Sequence, residues 1–450
     1  MRNAKFKVQN EEMVEFADKR VNVLGLGHFG GGIAVCRWLA GKGASVRVYD
    51  QSPPEKFADA LQALRDLPIE FHLGPGNSPA DFIHTDLIVA SPAIPPHHQY
   101  LLAAAAADVP VTTEICLFIQ RCPARVIGVT GTKGKSTTST LLHRMLSARH
   151  ATWFGGNIGK SLLPDLPDIK PDDLVVLELS SFMLEHLGKI KWSPHVAVVT
   201  MISTDHLDWH GSEENYINAK RNIVRFQKPG DFAVMNQSDV LGPTAAAMVP
   251  IRSLPRFELK LAGEHNQFNA QAAFAAASIF GVDWDTAQRA IADFTGLPHR
   301  LQLVHEENGV RFINDSIATI PEAAIAALNS FPPGKVIQIV GGSGKKHLPM
   351  EAMVTALGDR AKAILCIGET GSELAARLLP ARCHLCGTLA NAVQRAKLLA
   401  TDGDIVLLSP GHPSYDQFTN FESRGVAFAR LCRTTHLAPG DNTGGCVEDR

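Results

Sequence analysis

The chain has 450 residues, 45% of them hydrophobic, with a net charge of −2 and eight cysteines, which is room for about three domains with ordinary globular cores. Near-zero charge excludes a nucleic-acid or anionic-membrane surface as the main partner, since both select a strong basic excess, and thiols scattered over this length suit a reduced compartment rather than a disulfide framework. The first twenty residues hold no apolar signal core and no later run reaches the roughly 18 apolar residues of a membrane span, so a cytoplasmic protein without membrane insertion is expected.

Residues 21–30, VNVLGLGHFG, predict a strand, a tight glycine turn and the start of a helix running to about Lys42, with a second strand over Ser45 to Asp50. Gly25, Gly27 and Gly30 match G-x-G-x-x-G, and Asp50 closes the second strand where a ribose-binding acid sits in dinucleotide sites. Alone this motif suits a nicotinamide-dependent oxidoreductase, but it accounts only for the first fifty residues. A strand over Asp86 to Ala90 ends in Ser91-Pro92-Ala93, an alanine-rich helix spans about Gln99 to Asp108, and a first domain, 1–117, is expected to end near Leu117.

The second domain, 118–297, opens with VIGVTGTKGKSTT over 126–138, an apolar strand running into a glycine-rich turn and a helix. Such a turn wraps phosphates with backbone N–H groups: Gly131, Thr132, Lys133 and Gly134 form the cradle, Lys135 reaches the terminal phosphoryl groups, and Ser136 and Thr137 open the helix. The spacing G-x-x-x-x-G-K-[ST] is not met, because Val129 stands five before Gly134. ATP is the expected nucleotide. Apolar strands are predicted over Leu174 to Leu179 and His195 to Met201, short and continuous as in a buried parallel sheet. Glu178 ends the first of these, where a carboxylate suits Mg²⁺. After the second comes TDHLDWH, 204–210, then Tyr216-Ile-Asn-Ala-Lys220. His206 and His210 have the i,i+4 spacing of a zinc pair but lack H-E-x-x-H, so zinc is not expected. An alanine-rich helix is predicted over Asn266 to Phe280, stopped by Gly281.

Gly296-Leu-Pro-His-Arg300 reads as a hinge to a third domain, 298–450, which repeats the strand-and-turn grammar: 335–340 into GGSGKK, 363–367 into Gly368, and 404–408 into Ser409-Pro410-Gly411. Cys383 and Cys386 lack a second C-x-x-C and are not expected to bind metal. The segment from about Pro439, PGDNTGGCVEDR, is expected to be disordered. The expected fold class is therefore α/β, with three αβ domains in series.

Taken in order, TGTKGKST, ELSSF, DHLDWHGS with Y-x-x-A-K, HNxxNxxAA, GLPHR, NDS-x-AT, and SP followed by S-x-DQF-x-NFE-x-RG resemble the Mur ligases over about residues 21–435, and most of all the members that add glutamate to UDP-N-acetylmuramoyl-L-alanine. The resemblance implies a Rossmann-like UDP-binding domain, a central ATPase domain with the phosphate loop, and a Rossmann-like third domain that closes to deliver the amino acid. It implies that Lys135 and Ser136 hold ATP phosphates and Mg²⁺, and that Glu178 and His206 ligate two Mg²⁺ ions. Lys220 matches the lysine that the family carbamylates, a change that turns a cation into an anionic oxygen ligand. Asn269, Arg300 and Asp315 resemble contacts to adenosine, ATP and ribose. Asn157 and Ser180 are implied to face the UDP-muramoyl substrate, and Gly27, His28, Phe29, Asp50, Gln51 and Ser91 to line the UDP pocket. The implied reaction forms an acyl phosphate that the glutamate amine attacks, in a monomeric enzyme.

Departures from the family pattern lie mainly around the amino-acid pocket. Ile317 stands where enzymes adding D-glutamate carry a lysine that helps bind a glutamate carboxylate. Met183 replaces a usual glutamine, Trp209 an arginine, and Gly411-His412-Pro413 the small residues before Ser414. Thr319, Ser414 and backbone donors near Phe421 remain to hold glutamate. These changes lead to the expectation that L-glutamate is preferred, with a separate epimerase acting afterwards; the alternative is standard D-glutamate addition. A folylpolyglutamate-synthase-like ligase shares the phosphate loop but needs no UDP-type domain, and a non-catalytic nucleotide binder would not need Lys135, Glu178, His206 and Lys220 together.

Overall fold

The protein is described from a computed structural model covering residues 16–27, 31–158, 160–203, 205–236, 241–251, 254–261, 263–344 and 350–434. His28, Phe29, Gly30 and the segment from Pro439 lie outside them. The chain divides into two compact units, Met1–Phe294 and Thr295–Arg450.

The first unit holds two parallel sheets. One comprises β1 (Arg20–Leu24), β2 (Ser45–Asp50), β3 (Ile69–Leu73), β4 (Leu87–Ala90) and β5 (Val111–Thr112) in the order β3-β2-β1-β4-β5. The other comprises β6 (Arg125–Thr130), β7 (Thr152–Gly156), β8 (Leu174–Glu178), β9 (Val196–Val199), β10 (Phe232–Val234) and β11 (Ala247–Val249) in the order β11-β10-β9-β6-β8-β7. Strands β8 and β9 are buried at every position, which explains why they are apolar throughout except for Glu178 at the end of β8: both faces of a parallel sheet are covered by helices. Each such Val or Leu contributes about 1.5–3 kcal/mol of burial.

The second unit has one sheet, β12 (Gln302–Glu307), β13 (Val310–Asn314), β14 (Val336–Gly341), β15 (Ala361–Ile367), β16 (Cys383–Gly387) and β17 (Ile405–Leu408), ordered β12-β13-β17-β14-β15-β16. Among the described residues of this sheet, only the β12–β13 hairpin is antiparallel. Sequence reading missed this hairpin because Gln302–Glu307 carries polar residues at an edge and its turn, Asn308-Gly309, was not recognised; both turn residues have positive φ, 50° and 74°.

Helices cover the sheets, and several are capped by the side chain of the residue that precedes them. Ser212 accepts from the Asn215 amide at 3.2 Å, and Glu213, Glu214 and Arg225 complement the dipole of helix Glu213–Arg225. That helix buries Tyr216, Ala219, Lys220, Ile223 and Val224. The i, i+3, i+4, i+7 stripe therefore includes one lysine among apolar residues. Strands β9, β6 and β8 are neighbours, with the order reversing around β6, and the carboxyl ends at such a point are the usual place for ligands in open α/β sheets.

Candidate active site

The turn after β6 is built so that only glycine suits two of its positions. A Cβ on Gly131, at φ +151°, would lie 1.9 Å from the Thr200 hydroxyl, and one on Gly134, at φ +87°, would lie 2.4 Å from Asn269 Oδ1. Thr200 explains the first: its hydroxyl donates to the carbonyls of Thr130 (3.1 Å) and Lys133 (2.6 Å), tying the loop to the end of β9. Thr132 donates to Ser203 O at 2.7 Å and pairs with the Tyr216 hydroxyl at 2.8 Å. Gly134 then caps helix Lys135–Ser147, and Lys135 Nζ donates back to the carbonyls of Gly131 and Thr132, both at 3.0 Å. Ser136 is buried at the first turn, while Lys133 is exposed. Asn269 is buried behind the loop and accepts from Thr138 at 3.3 Å.

Glu178 ends β8 beside Val129 of β6 and Gly156 of β7. It is 1% exposed; Oε1 accepts from Asn157 Nδ2 at 2.8 Å, and Oε2 has no hydrogen-bond partner. A buried carboxylate oxygen without a donor is costly unless a cation meets it. Lys220 is also 1% exposed; its Nζ donates to Gly131 O at 2.8 Å and lies 4.8 Å over the Tyr216 ring. Burial, and next the neighbouring Lys135 charge, pull this amine from its ordinary 10.5 down to about 7, against the opposing pull of Asp205 and Glu178.

The two histidines diverge. His206 sits at φ 51° with its side chain 49% exposed, its ring 4.9 Å from Phe182. His210 is buried, with Nε2 3.0 Å from Ser181 Oγ. Among the described residues no group of three or more His, Cys, Asp or Glu side chains forms a metal-binding array, Cys383 and Cys386 included. For Mg²⁺, the group whose chemistry fits is Glu178, through its unpartnered oxygen, and Lys220 is close enough to feel that carboxylate's charge.

Some expected substrate contacts are committed within the protein. Asn157 orients Glu178, and Ser180 caps helix Ser181–Lys189 by accepting from Met183 N at 3.2 Å. In the first sheet, Asp50 accepts from the amides of Leu26 (3.1 Å) and Ser52 (2.9 Å), so it braces the glycine turn rather than standing free as a dinucleotide acid. Among the described glycines of this turn and the helix after it, Gly32 packs closest: a Cβ there would lie 2.1 Å from Leu26 O. Gly27 has φ +68° with open space beside it, Gln51 is exposed, and Ser91 N donates to Leu24 O at 2.8 Å.

In the second unit, Asp315 accepts from Ser409 Oγ (2.7 Å) and Leu301 N (3.1 Å), and burial pushes its carboxyl up to about 6. Arg300 is exposed, Thr319 half-buried and Ser414 buried, while the Phe421 carbonyl accepts from Ser316 Oγ at 2.8 Å. Sequence reading gave no role to Arg424. Its guanidinium is 1% exposed and donates to Ser316 Oγ (2.9 Å), Ser316 O (3.0 Å) and His412 O (3.0 Å), joining the 314–319 and 411–414 loops.

Three family models cover the chain in order: Mur ligase MurD-like N-terminal domain over residues 19–113, Mur ligase middle domain over 129–255, and Mur ligase glutamate ligase domain over 299–412. The UDP-N-acetylmuramoylalanine–D-glutamate ligase of Roseiflexus sp. (strain RS-1) is 39% identical over 93% of this chain and 99% of its own. The chain belongs to the Mur ligase family.

The similarly named ligase of Anaeromyxobacter dehalogenans is 37% identical over 93% of this chain and 98% of its own. Among solved structures, the UDP-N-acetylmuramate-alanine ligase MurC of Thermotoga maritima has the same fold, with a TM-score of 0.57 at 19% identity over 92% of this chain and 98% of that one. MurF ligase of Thermotoga maritima in complex with ADP gives 0.51 at 17% identity over 93% and 96%. This Mur ligase is thus an ATP-binding ligase of peptidoglycan synthesis and cell wall biogenesis, with three α/β domains. Among its described residues, no helix is long and apolar enough to cross a membrane.

Proposed function

We propose that this Mur ligase joins D-glutamate to UDP-N-acetylmuramoyl-L-alanine, using ATP and forming an acyl phosphate. The observation that carries the reaction is what gathers at the ends of the paired strands β6, β8 and β9: a phosphate loop, a buried carboxylate oxygen without a donor, and a buried amine near neutrality that donates to the loop. The relatives named above support the D-enantiomer. They outweigh the L-glutamate expectation drawn from Ile317: losing one cation weakens a carboxylate contact but selects no hand. The reading takes a monomer and needs no epimerase.

Two Mg²⁺ ions, when bound, neutralise phosphoryl charge and orient the phosphates. Glu178 Oε2 and His206 would hold them, with Ser136 and a Lys220 carbamate. The carbamate is chemically accessible because only a neutral amine adds CO₂, and Lys220 is held near 7. The alanyl carboxylate oxygen attacks the γ-phosphorus and ADP leaves; Lys135 and the loop amides stabilise the charge that develops on the equatorial oxygens. The glutamate amine, having lost its extra proton, attacks the acyl carbon, and the tetrahedral adduct expels phosphate to leave the amide. Asn157 keeps Glu178 oriented throughout. Asn269 with Arg300 and Asp315 are assigned to the nucleotide, Gly27, His28, Phe29, Asp50, Gln51 and Ser91 to the UDP group, and Thr319, Ser414 and the backbone near Phe421 to glutamate.

The test is phosphate release with each of ATP, UDP-N-acetylmuramoyl-L-alanine and glutamate omitted in turn, alongside Lys135→Ala. Turnover is expected only with all three and to fall about 10²-fold or more in the variant, as loss of one such charge does. Release independent of the UDP substrate, or a variant above about a tenth of wild type, contradicts the assignment.

A further inference from the structure

Trp209 takes no part in the chemistry above, yet it touches two parts of the substrate site within the Met1–Phe294 unit. Its indole N–H donates to Ala93 O at 3.1 Å, in the turn after β4 that begins at Ser91. That turn is fixed against β1: Ser91 N donates to Leu24 O at 2.8 Å, Ile94 N to Ser91 O at 3.0 Å, and a Cβ on Gly25 would lie 3.0 Å from Ser91 Cβ. On its other side the indole lies 4.8 Å from the Phe182 ring, which stands 4.9 Å from His206 and stacks on His210 at 5.6 Å. His206 itself is in the left-handed backbone region at φ 51° with no side-chain cap. Positive φ is uncommon outside glycine, although histidine is among the residues that adopt it more readily.

We propose that Trp209 is a positioning residue that couples the first-domain turn carrying Ser91 to the ring of His206, so that the nucleotide-sugar substrate and the metal–nucleotide are seated cooperatively. The proposal rests on the assignment of these two regions to those two ligands. One rigid indole provides both links: the N–H holds the turn, and the ring, tilted 49° to Phe182, packs against it and through it against His206. Binding that orders either end then lowers the ordering cost at the other, and by thermodynamic linkage the effect is reciprocal.

The experiment measures the Kd of UDP-N-acetylmuramoyl-L-alanine by calorimetry, alone and with Mg²⁺ and a non-hydrolysable ATP analogue, in wild type, Trp209→Phe and Trp209→Ala. Wild type is expected to bind the UDP substrate about 5- to 10-fold tighter with the analogue present. The Phe variant, which keeps a ring on Phe182 but loses the N–H, should weaken that substrate several-fold. The Ala variant should lose the enhancement in both directions. A packing defect alone would lower the melting temperature and leave the enhancement in place. If the Ala variant does not fold, the Phe variant decides: substrate affinity and enhancement equal to wild type overturn the proposal. So does a wild type that binds both ligands independently, or an Ala variant that keeps the full enhancement. A wild type that fails to bind the UDP substrate brings down the functional reading and this proposal with it, whereas binding and coupling that survive in both variants remove only the role of Trp209.

Discussion

A lysine ordinarily stays out of a core because its charged form loses hydration there, and Lys220 is 1% exposed. Its pKa of about 7 against an ordinary 10.5 means that the unfolded chain binds more protons between those values. Stability from this group is therefore fully present above 10.5, falls as pH drops toward 7 and stays lost below it. The cost is consistent with a functional role for the neutral amine. Lys220→Ala is expected to be inactive with its fold retained, and to recover part of its activity with added formate or acetate, which supply the anionic ligand. ¹³C-bicarbonate should give a carbamate resonance in wild type that is missing from the variant. A fully active alanine variant, or wild type without that resonance under turnover conditions, counts against the carbamate.

Among the elements, the phosphate loop shows most directly how local conformation serves the site. Gly134 has φ +87° at the start of helix Lys135–Ser147, and its missing Cβ makes room for Asn269. An alanine there incurs roughly 1–2 kcal/mol for the left-handed backbone, before any displacement of Asn269. Gly134→Ala should lower the melting temperature by a few degrees and raise the KM for ATP. Calorimetry and steady-state kinetics that leave both unchanged would refute this account of the loop. This loop was legible in the sequence because glycine, lysine and hydroxyl spacing reports backbone geometry directly. The bracing of Gly131 by Thr200 was not, because it depends on the pairing of β9 with β6, 70 residues away at the Thr200–Thr130 hydrogen bond. Arg424 was hidden for the same reason: two of its three acceptors are on Ser316, 108 residues away.

At the level of the whole molecule, three α/β sheets were readable from short apolar strands ending in glycine turns, since a parallel sheet buried on both faces leaves few other patterns. The β12–β13 hairpin escaped because β12, at the sheet edge, is mostly polar and only partly buried, so no apolar run marks where it begins. Asp50 was placed at the correct strand end, but its use as a brace for Leu26 and Ser52 is a tertiary fact. Choice of glutamate hand was least legible, because it depends on the joint placement of several groups rather than on Ile317 alone. That choice is also where the functional reading is most exposed to test. The decisive measurement is kcat/KM for D- and for L-glutamate with ATP and UDP-N-acetylmuramoyl-L-alanine on the same enzyme preparation. A clear preference for D-glutamate, with a product of the mass of the amide, is the expected result; preference for L-glutamate, or turnover with neither, would contradict it.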